Sequence, residues 1–546
     1  MDMIRREFEP IARMIPTAIT PKQDRPSSLE NALGLRGACM RTGRIGGGLA
    51  RNCRNVKRAG TSCAATKDDS NPPMRSPTGQ PVNRSQASTT VSAGTPGAKL
   101  ASGRSAATAF RSFPLAPSFV QRVGVYVLGL FLWANFTLPD QFLLNHFGWT
   151  PRIRAISSVL TLAFGLASLA MFRGLQLRAG RFWLAFCLWM GVTVPFSYWR
   201  GGSLGVFLHN VQYESLVFVA CALAVSLKQI RTLIYFSVAG ALAVLLYCFR
   251  FGSSETGRLG IENSSLANPN DLGFHLLMCL SFLLFLLFQQ RLLLRLLGVA
   301  ALAAALVYIL RTASRGTFLS LFIVAAGLFF VVPRIAKFWL ITLLCCGILV
   351  ALLATPAAAL HRLTFIFVET EGVEITSQDD AQSLGSQLSR QELLKKAIEL
   401  TLTHPLVGVG PGQFSDFVLA DAKSRGEHIV DLKQHNTYTQ VSSEMGLPAL
   451  FFYCAALVMC IRMNYQVAKR AWRLPGQQVV VAQSLCLFVV CLAYAANTLF
   501  VHSGDLFYHV HLVGLSLANF LAAQNELGPF APAPVKAPLA PAKSPV

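Results

Sequence analysis

The stretch LLGVAALAAALVYILRTASRGTFLSLFIVAAGLFFVVP, residues 296–333, decides the fold of this chain. Two apolar runs, 296–310 and 316–333, flank a short polar turn that contains Arg311 and Arg315. A bilayer core about 30 Å thick needs roughly 17–25 apolar residues for each crossing helix. The stretch therefore predicts two membrane helices that reverse direction at a turn containing two arginines.

The rest of the chain repeats this apolar pattern. Hydrophobic residues make up 53% of the 546 residues and charged residues only 14%, whereas soluble domains average about a quarter charged. The sequence therefore predicts an all-α integral membrane protein with about 12 transmembrane helices and a large, partly helical loop between helices 9 and 10. The predicted spans are 120–138, 155–172, 182–199, 206–226, 232–249, 272–289, 296–310, 316–333, 338–355, 447–463, 478–501 and 507–524. The first, fourth and seventh are short or diluted by polar residues, which a helical bundle accepts.

The distribution of Lys and Arg in the short loops predicts the orientation. Cytoplasmic loops carry an excess of these residues. With the amino terminus inside, the inner short loops hold thirteen of them and the outer short loops seven. Both termini are therefore predicted to be cytoplasmic, and the polar loop 355–446 is predicted to face outward.

Both ends of the chain are predicted to be disordered, whereas residues 118–354 hold helices 1–9 and residues 447–524 hold helices 10–12. Residues 1–117 are rich in Ser, Gly, Pro, Thr and Arg, and residues 525–546 carry Pro, Ala and Lys. The net charge of +22 comes largely from the arm 1–117 and the inner loops, so topology explains it better than nucleic-acid binding. We interpret the arm as a dispensable tail or a start codon placed too far upstream, with contact to anionic lipids as the alternative.

Two segments with arginines precede the polar loop. Arg258 is followed by Asn268, Asn270 and Asp271 at the head of the sixth span. Asn and Asp are ordinary helix caps there, so capping by Asn270 and Asp271 and a functional role both remain open. Arg315 must lie at the bilayer boundary. Snorkelling allows this position, but an arginine beside a helix start also suits an anion, and we favour the anion site.

Within the polar loop, Ser389 and Glu392 fit the Ser-x-x-Glu capping box. We expect an amphipathic helix whose first residue is Arg390 and which ends near His404. The helix macrodipole disfavours a positive side chain at that first position, which favours an anionic ligand as the reason for Arg390, with a solvated surface arginine as the alternative. The run Gly408–Gly412 lacks a Walker lysine and a dinucleotide fingerprint, so it predicts a backbone turn.

The polar loop ends with the sequence His-Asn-Thr-Tyr at residues 435–438. It should open a short polar helix that stops near Gly446, directly before the tenth span. Imidazole, with an unperturbed pKa near 6.5, is well suited to accept a proton from a hydroxyl at neutral pH. A lone histidine in a loop is more often inert, so His435 is a candidate base by this argument alone.

No motif in the sequence predicts a metal or a cofactor. His509 and His511 are two apart on a predicted helix and point to different sides, which makes a poor metal pair. The ten cysteines beyond the basic arm lie in or beside predicted spans, where Cys behaves as a small hydrophobe. We therefore expect no disulfide framework and no Cys-x-x-Cys metal site.

The order of these motifs resembles the O-antigen ligase and polymerase superfamily. The resemblance rests on Arg315 after a span, Ser389-Arg390 in the polar loop, HPLVGVGPG at 404–412 and HNTY at 435–438. By motif it covers residues 250–450. It implies a twelve-span inner-membrane protein whose large periplasmic loop lies between spans nine and ten.

The resemblance also implies an activity. Family members transfer a glycan from undecaprenyl pyrophosphate to an acceptor hydroxyl; here Arg315 and Arg390 would grip the pyrophosphate and His435 would be the general base. The other residues of these motifs would bind substrate, namely Arg258, Asn268, Asn270, His404, Asn436 and Tyr438. Direct attack on the anomeric carbon would invert it without a nucleotide sugar or a metal. The long basic arm departs from the family pattern.

Three functions remain open at this point. The first is a ligase that attaches the glycan to lipid A-core, and the second is a polymerase that lengthens the glycan on the same carrier. The third, a polysaccharide or lipid transporter, would show internal repeats, and no clear half-to-half repeat is present. The predicted partners are the lipid-linked glycan donor, lipid A-core or a growing glycan as acceptor, and membrane lipids, with no nucleic acid.

Overall fold

Apolar runs form helices in the computed structural model, which describes residues 117–253, 258–354, 378–426, 434–502 and 508–528. The helices before the polar loop are α1 Phe119–Thr137, α2 Pro139–Phe147, α3 Ile153–Ala167, α4 Arg178–Thr193, α5 Arg200–Glu214, α6 Leu216–Leu223, α7 Leu227–Phe251, α8 Pro269–Leu283, α9 Leu292–Arg311, α10 Arg315–Val331 and α11 Arg334–Ala354. Those that follow are α12 Gln378–Thr403, α13 Phe414–Ser424, α14 Thr437–Ala471, α15 Gln478–Asn497 and α16 Leu515–Leu527. Short 3-10 segments at Met171–Gln176, Val194–Phe196 and Leu284–Phe288 and a π-helical turn at Val510–Gly514 complete the helical part. Two short strands, β1 Gly252–Ser253 and β2 Gly260–Ile261, pair antiparallel after α7.

Eight helices or helix pairs among the described residues are long and apolar enough to cross a membrane. They are Phe119–Thr137, Arg178–Phe196, Arg200–Leu223, Leu227–Phe251, Pro269–Phe288, Leu292–Arg311, Thr437–Ala471 and Gln478–Asn497. The apolar helices α3 and α10 are shorter. The prediction of an all-α, multi-pass membrane protein is therefore confirmed, whereas the count of twelve spans and the side of the polar loop stay predictions.

The ends of the chain are described only in part. The predicted disordered arm lies almost entirely outside the described residues, as do segments 355–377 and 427–433 of the polar loop. Helix α16 continues to Leu527, past the predicted start of the disordered tail at residue 525.

Buried polar side chains join the last three long helices. Asn464 of α14 donates to Ser516 Oγ of α16 at 2.7 Å, and Gln483 of α15 donates to Asn519 Oδ1 of α16 at 2.7 Å. The side-chain amide of Asn519 in turn donates to Asn464 Oδ1 at 3.3 Å. Because no water satisfies polar groups in the bilayer core, such groups pair with one another, and interhelical hydrogen bonds of this kind contribute on average about 0.6 kcal/mol each. They fix the mutual positions of α14, α15 and α16.

A second set of buried polar side chains connects α5 with α15 and with the segment before α16. The carboxylate of Glu214 lies 2.7 Å from His509 Nδ1, and Tyr494 OH lies 3.0 Å from His509 Nε2. The ring of His511 instead packs edge-on against Phe136, with 4.8 Å between ring centroids. The two histidines therefore have different neighbours, as their spacing predicts.

Helices α12 and α13 form a unit, here called the α12–α13 pair (residues 378–424), with a small hydrophobic core of its own. Its buried members are Leu393, Ala397, Leu400, Val409, Phe414 and Val418. Lys396 of α12 pairs with Asp421 of α13 at 2.9 Å. This ion pair lowers the pKa of the Asp421 carboxyl and raises that of the Lys396 ammonium. The pair contacts α14 through the hydroxyls of Thr401 and Ser442, 2.8 Å apart.

The predicted capping box at Ser389 is wrong. Helix α12 begins at Gln378, so Ser389 and Arg390 lie inside the helix and not at its start. Residues 378–388 include Ala, Gln and Leu, which favour helix, and side chains three apart share one face anywhere in a helix, so Ser-x-x-Glu spacing is not restricted to a helix start. The macrodipole argument for an anion at Arg390 therefore does not apply, whereas the predicted helix end near His404 is confirmed.

Candidate active site

A cavity of about 400 Å³ contains the three residues that the motifs predict to be catalytic. Arg315 comes from α10, Arg390 from α12, and His435 from the residues before α14. The other lining residues are Gly316, Leu319, Gln391, Leu393, Leu394, Gln434, Asn436, Thr439, Leu499 and Phe500. Two guanidinium groups and an imidazole therefore border one space that also has apolar walls.

Arg315 directly follows a buried turn, so its position depends on that turn. It is the first residue of α10 and is half-buried. In the turn before it, Thr312 is 0% exposed and Ser314 2%, and Thr312 N donates to Tyr308 O at 3.0 Å. The Ser314 side chain does not cap α10. Because the first amides of a helix carry positive partial charge, the α10 start and the Arg315 guanidinium together favour an anion in the cavity.

Arg390 reaches the cavity from the α12–α13 pair. It is half-buried. Leu393 and Leu394, one turn later on α12, line the same cavity, as the i, i+3 and i, i+4 spacing on a helix requires. Leu393 is also 5% exposed and belongs to the core of the pair, so the face of α12 that carries Arg390 is anchored by packing.

His435 is held by the start of α14. The Asn436 side chain caps this helix, because its Oδ1 accepts from Tyr438 N at 2.9 Å and from Thr439 N at 3.1 Å. Thr437 N donates to Thr498 O at the end of α15 at 2.9 Å. The position of His435 is therefore set by the contact between α14 and the end of α15. The helix predicted to open at this motif is confirmed.

The family comparison agrees with this arrangement. The family model Wzy_C, described as O-antigen ligase, matches residues 300–454. The match confirms the resemblance to the superfamily and supports glycosyl transfer of the O-antigen ligase or polymerase type by a membrane enzyme. A search of curated proteins finds no match to the chain.

Arg258 lies outside the residues that the family model matches, and its contacts hold the turn before Arg315. Its Nε donates to Thr312 O at 2.9 Å, and its Nη2 donates to Asn270 Oδ1 at 3.0 Å. The adjacent amide of Leu259 donates to Arg311 O at 2.8 Å. Neither Arg258 nor Asn270 is among the residues that line the cavity. The contacts support a role for Arg258 in placing Arg315.

Asn268 is the cap of α8. Its Oδ1 accepts from Asn270 N at 2.9 Å, and Pro269 follows at the first helical position. The prediction that an Asn caps this helix start is therefore confirmed, but the cap is Asn268. Asn270 lies inside the helix and accepts a hydrogen bond from Arg258.

His404 and Tyr438 do not line the cavity. His404 is exposed at the end of α12, and its Nδ1 lies 3.0 Å from Thr403 Oγ1. The hydroxyl of Tyr438 donates to Ala495 O of α15 at 2.8 Å. Both side chains contact the scaffold around the site.

The glycine run Gly408–Gly412 forms a backbone turn, as predicted. Gly408, Gly410 and Gly412 have φ values of 64°, 111° and 73°. Residues other than glycine rarely adopt such positive φ values. Gly446 also has a positive φ and interrupts α14, so the predicted helix end near this residue is confirmed. The break separates a short helix, 437–445, from the apolar helix 447–471.

The sequence motifs also miss Glu444, which lies next to the site without lining the cavity. It is 5% exposed at the end of the short helix, and its Oε2 accepts from Gly412 N at 2.9 Å. A single Glu in a polar segment suggests a surface residue. Its position two residues before a helix-breaking glycine and a span is the only signal in the sequence that points to a buried carboxylate.

Proposed function

We propose that this chain is an inverting glycosyltransferase that moves a glycan from undecaprenyl pyrophosphate to an acceptor hydroxyl, with lipid A-core as the acceptor. The observation that carries the proposal is the single cavity bordered by Arg315, Arg390 and His435. The description of the matched family as O-antigen ligase supports a lipid-linked glycan donor and a polysaccharide acceptor. The site would lie on the periplasmic face of the inner membrane, with both termini in the cytoplasm.

The two arginines would bind the leaving group. Pyrophosphate gains negative charge as the bond to the anomeric carbon breaks, and arginine stabilises such charge with bidentate, charge-assisted hydrogen bonds. Groups already aimed at developing charge lower the barrier most. Arg315 at a helix start and Arg390 on the opposing α12 supply two such groups from two elements, which suits a bridging pyrophosphate.

His435 would accept the proton of the acceptor. The hydroxyl oxygen attacks the anomeric carbon, its proton passes to the imidazole, and the electron pair of the broken bond leaves with the pyrophosphate. This direct displacement inverts the anomeric carbon. It uses only side chains that line the cavity, so the proposed reaction needs no metal.

The apolar part of the cavity suits an amphiphilic donor. Leu319 follows Arg315 by one turn on α10, Leu394 follows Arg390 by one turn on α12, and Leu499 and Phe500 lie in the turn after α15. The polyprenyl chain would stay in lipid while its pyrophosphate enters between the arginines. The volume of about 400 Å³ lies near the lower end of the roughly 300–1,000 Å³ range of small-molecule sites, so the cavity would enclose only the reacting part of so large a donor.

The test is a transfer assay with purified protein, lipid-linked glycan and lipid A-core. We expect glycan-bearing lipid A-core from the wild-type protein and none from His435→Ala. Lengthened carrier-linked glycan without a lipid A product would replace the ligase with a polymerase that uses the same donor. No transfer to either acceptor, together with impaired export of the glycan in cells, would contradict a transferase.

A further inference from the structure

Helix α13 begins without a cap of its own. Its N-cap residue, Gln413, makes no side-chain capping hydrogen bond, although the first amides of a helix need external partners. The partner comes from α14. The Glu444 carboxylate accepts from Gly412 N at 2.9 Å and also bonds the backbone amide of Phe414.

The backbone around Glu444 holds the glycine turn as well. Gly410 N donates to Glu444 O at 2.8 Å, and Val409 N donates to Ser443 O at 2.9 Å. A Cβ at Gly408 would lie 2.3 Å from the carbonyl carbon of Glu444. Side chain and main chain of one residue therefore fix both the turn and the start of α13.

This contact joins the elements that carry two of the cavity residues. Phe414 and Val418 of α13 belong to the same hydrophobic core as Leu393 and Ala397 of α12, and α12 carries Arg390. Glu444 itself lies on the short helix that directly follows His435. A buried carboxylate is costly without hydrogen-bond donors, and here the donors are two backbone amides of the α12–α13 pair and the side chain of Gln440.

We propose that Glu444 is a positioning residue that seats the α12–α13 pair on the start of α14, so that Arg390 and His435 border one cavity. The proposal depends on the proposed function for the roles of Arg390 and His435. It does not require that Glu444 touch the substrate, because Glu444 is not among the residues that line the cavity.

The kinetic test compares Glu444→Ala, Glu444→Gln and the control Glu399→Ala in the purified full chain. The Glu399 side chain is 57% exposed on α12 and pairs with Lys396 at 3.0 Å. Exposed pairs of this kind are weak, and Lys396 keeps its ion pair with Asp421. We expect Glu444→Ala to lower kcat per folded molecule about 10-fold or more, since a misplacement of about 1 Å can cost about 100-fold. The amide of Glu444→Gln still accepts a hydrogen bond and should restore most of the rate, and Glu399→Ala should match the wild type.

An equal kcat for folded Glu444→Ala and wild type would overturn the proposal, because a purely structural role lowers only the amount of folded protein. The same substitution in an Arg390→Lys background supplies a second criterion. We expect a smaller loss there, since Arg390 is already impaired and contacting residues are not additive. A full additional loss would show that Glu444 does not act through Arg390.

Hydrogen–deuterium exchange over residues 408–424 tests the contact without any substrate. We expect faster exchange of this segment in Glu444→Ala and not in Glu399→Ala. Unchanged exchange would overturn the proposal. Faster exchange in a protein whose wild type transfers no glycan would support the seating role of Glu444 and reject the proposed function, so the two failures are distinguishable.

Discussion

The two arginines of the cavity are held in different ways. Arg315 follows a turn whose residues are almost completely buried in the membrane bundle, and Arg258 binds the backbone of that turn. Arg390 lies on a pair of helices with a separate small core. That pair packs against α14, and its polar contacts include those of Thr401 with Ser442 and of Gly412 with Glu444.

The difference shows that one cavity contains two arginines whose positions are held by different kinds of contact. The position of Arg315 is fixed by the same packing that holds the helices together, so few single substitutions should displace it. The position of Arg390 depends on the packing of α12 against α14 and on the polar contacts at the same junction. Substitutions at that junction should therefore affect activity more than their effect on overall stability suggests.

Removal of either arginine should lower activity more than any substitution that only affects its position. Although the two arginines are held in different ways, we expect similar losses, because both bind the same leaving group. We expect Arg315→Ala and Arg390→Ala each to lower kcat/KM by about 100- to 1,000-fold, the cost of losing one group that stabilises transition-state charge. The measurement is the purified transfer assay, with exposed Arg250→Ala as the control. Full activity of Arg390→Ala would show that the α12–α13 pair is not part of the site.

Arg258→Ala tests whether Arg258 helps to position Arg315. It removes the hydrogen bonds to Thr312 O and Asn270 Oδ1 and should lower kcat about 10-fold, because Arg315 loses part of its support. The donor KM should change less than in Arg315→Ala. An effect on KM as large as that of Arg315→Ala would instead indicate that Arg258 binds the donor directly.

Gly408→Ala tests the junction on the Arg390 side. Its φ of 64° and the approach of Glu444 both oppose a side chain, and a residue forced into that region costs of order 1–3 kcal/mol. We expect a several-fold loss of activity and faster hydrogen exchange across 408–424. Gly426→Ala is the matched control, because Gly426 also has a positive φ, 72°, but a Cβ there would meet no atom of the described residues within 4 Å. Equal effects of both substitutions would exclude the contact with Glu444 as the cause.

Asp421→Asn should have the smallest effect. It breaks the ion pair with Lys396, which is partly exposed, and such pairs are weak. The pKa of Asp421 is lowered by Lys396, so its contribution is present above the usual carboxyl pKa and is lost as the pH falls through the lowered value. Exchange in α13 should therefore differ slightly from wild type at neutral pH and not at strongly acidic pH. A difference that grows on acidification would contradict this assignment.

Much of the fold is predictable from the sequence because bilayer thickness sets the length of apolar runs. The opening of α14 at Asn436 and the break at Gly446 are also predictable, since capping side chains and a positive φ restrict the residue types. The start of α12 is not, because Ser-x-x-Glu spacing is as compatible with a helix interior as with a cap. Glu444 and the Arg258 contact with Thr312 are missed because both connect segments far apart in the chain.

The central claim is that Arg315 and Arg390 act on one leaving group in one cavity. A double-mutant cycle with Arg315→Ala, Arg390→Ala and the double variant, measured as kcat/KM on purified protein, tests it most directly. We predict a double loss smaller than the product of the single losses, with a coupling free energy above about 0.5 kcal/mol, as expected for residues that share a partner. Strictly independent losses would show that the two arginines do not share a partner and would contradict the account.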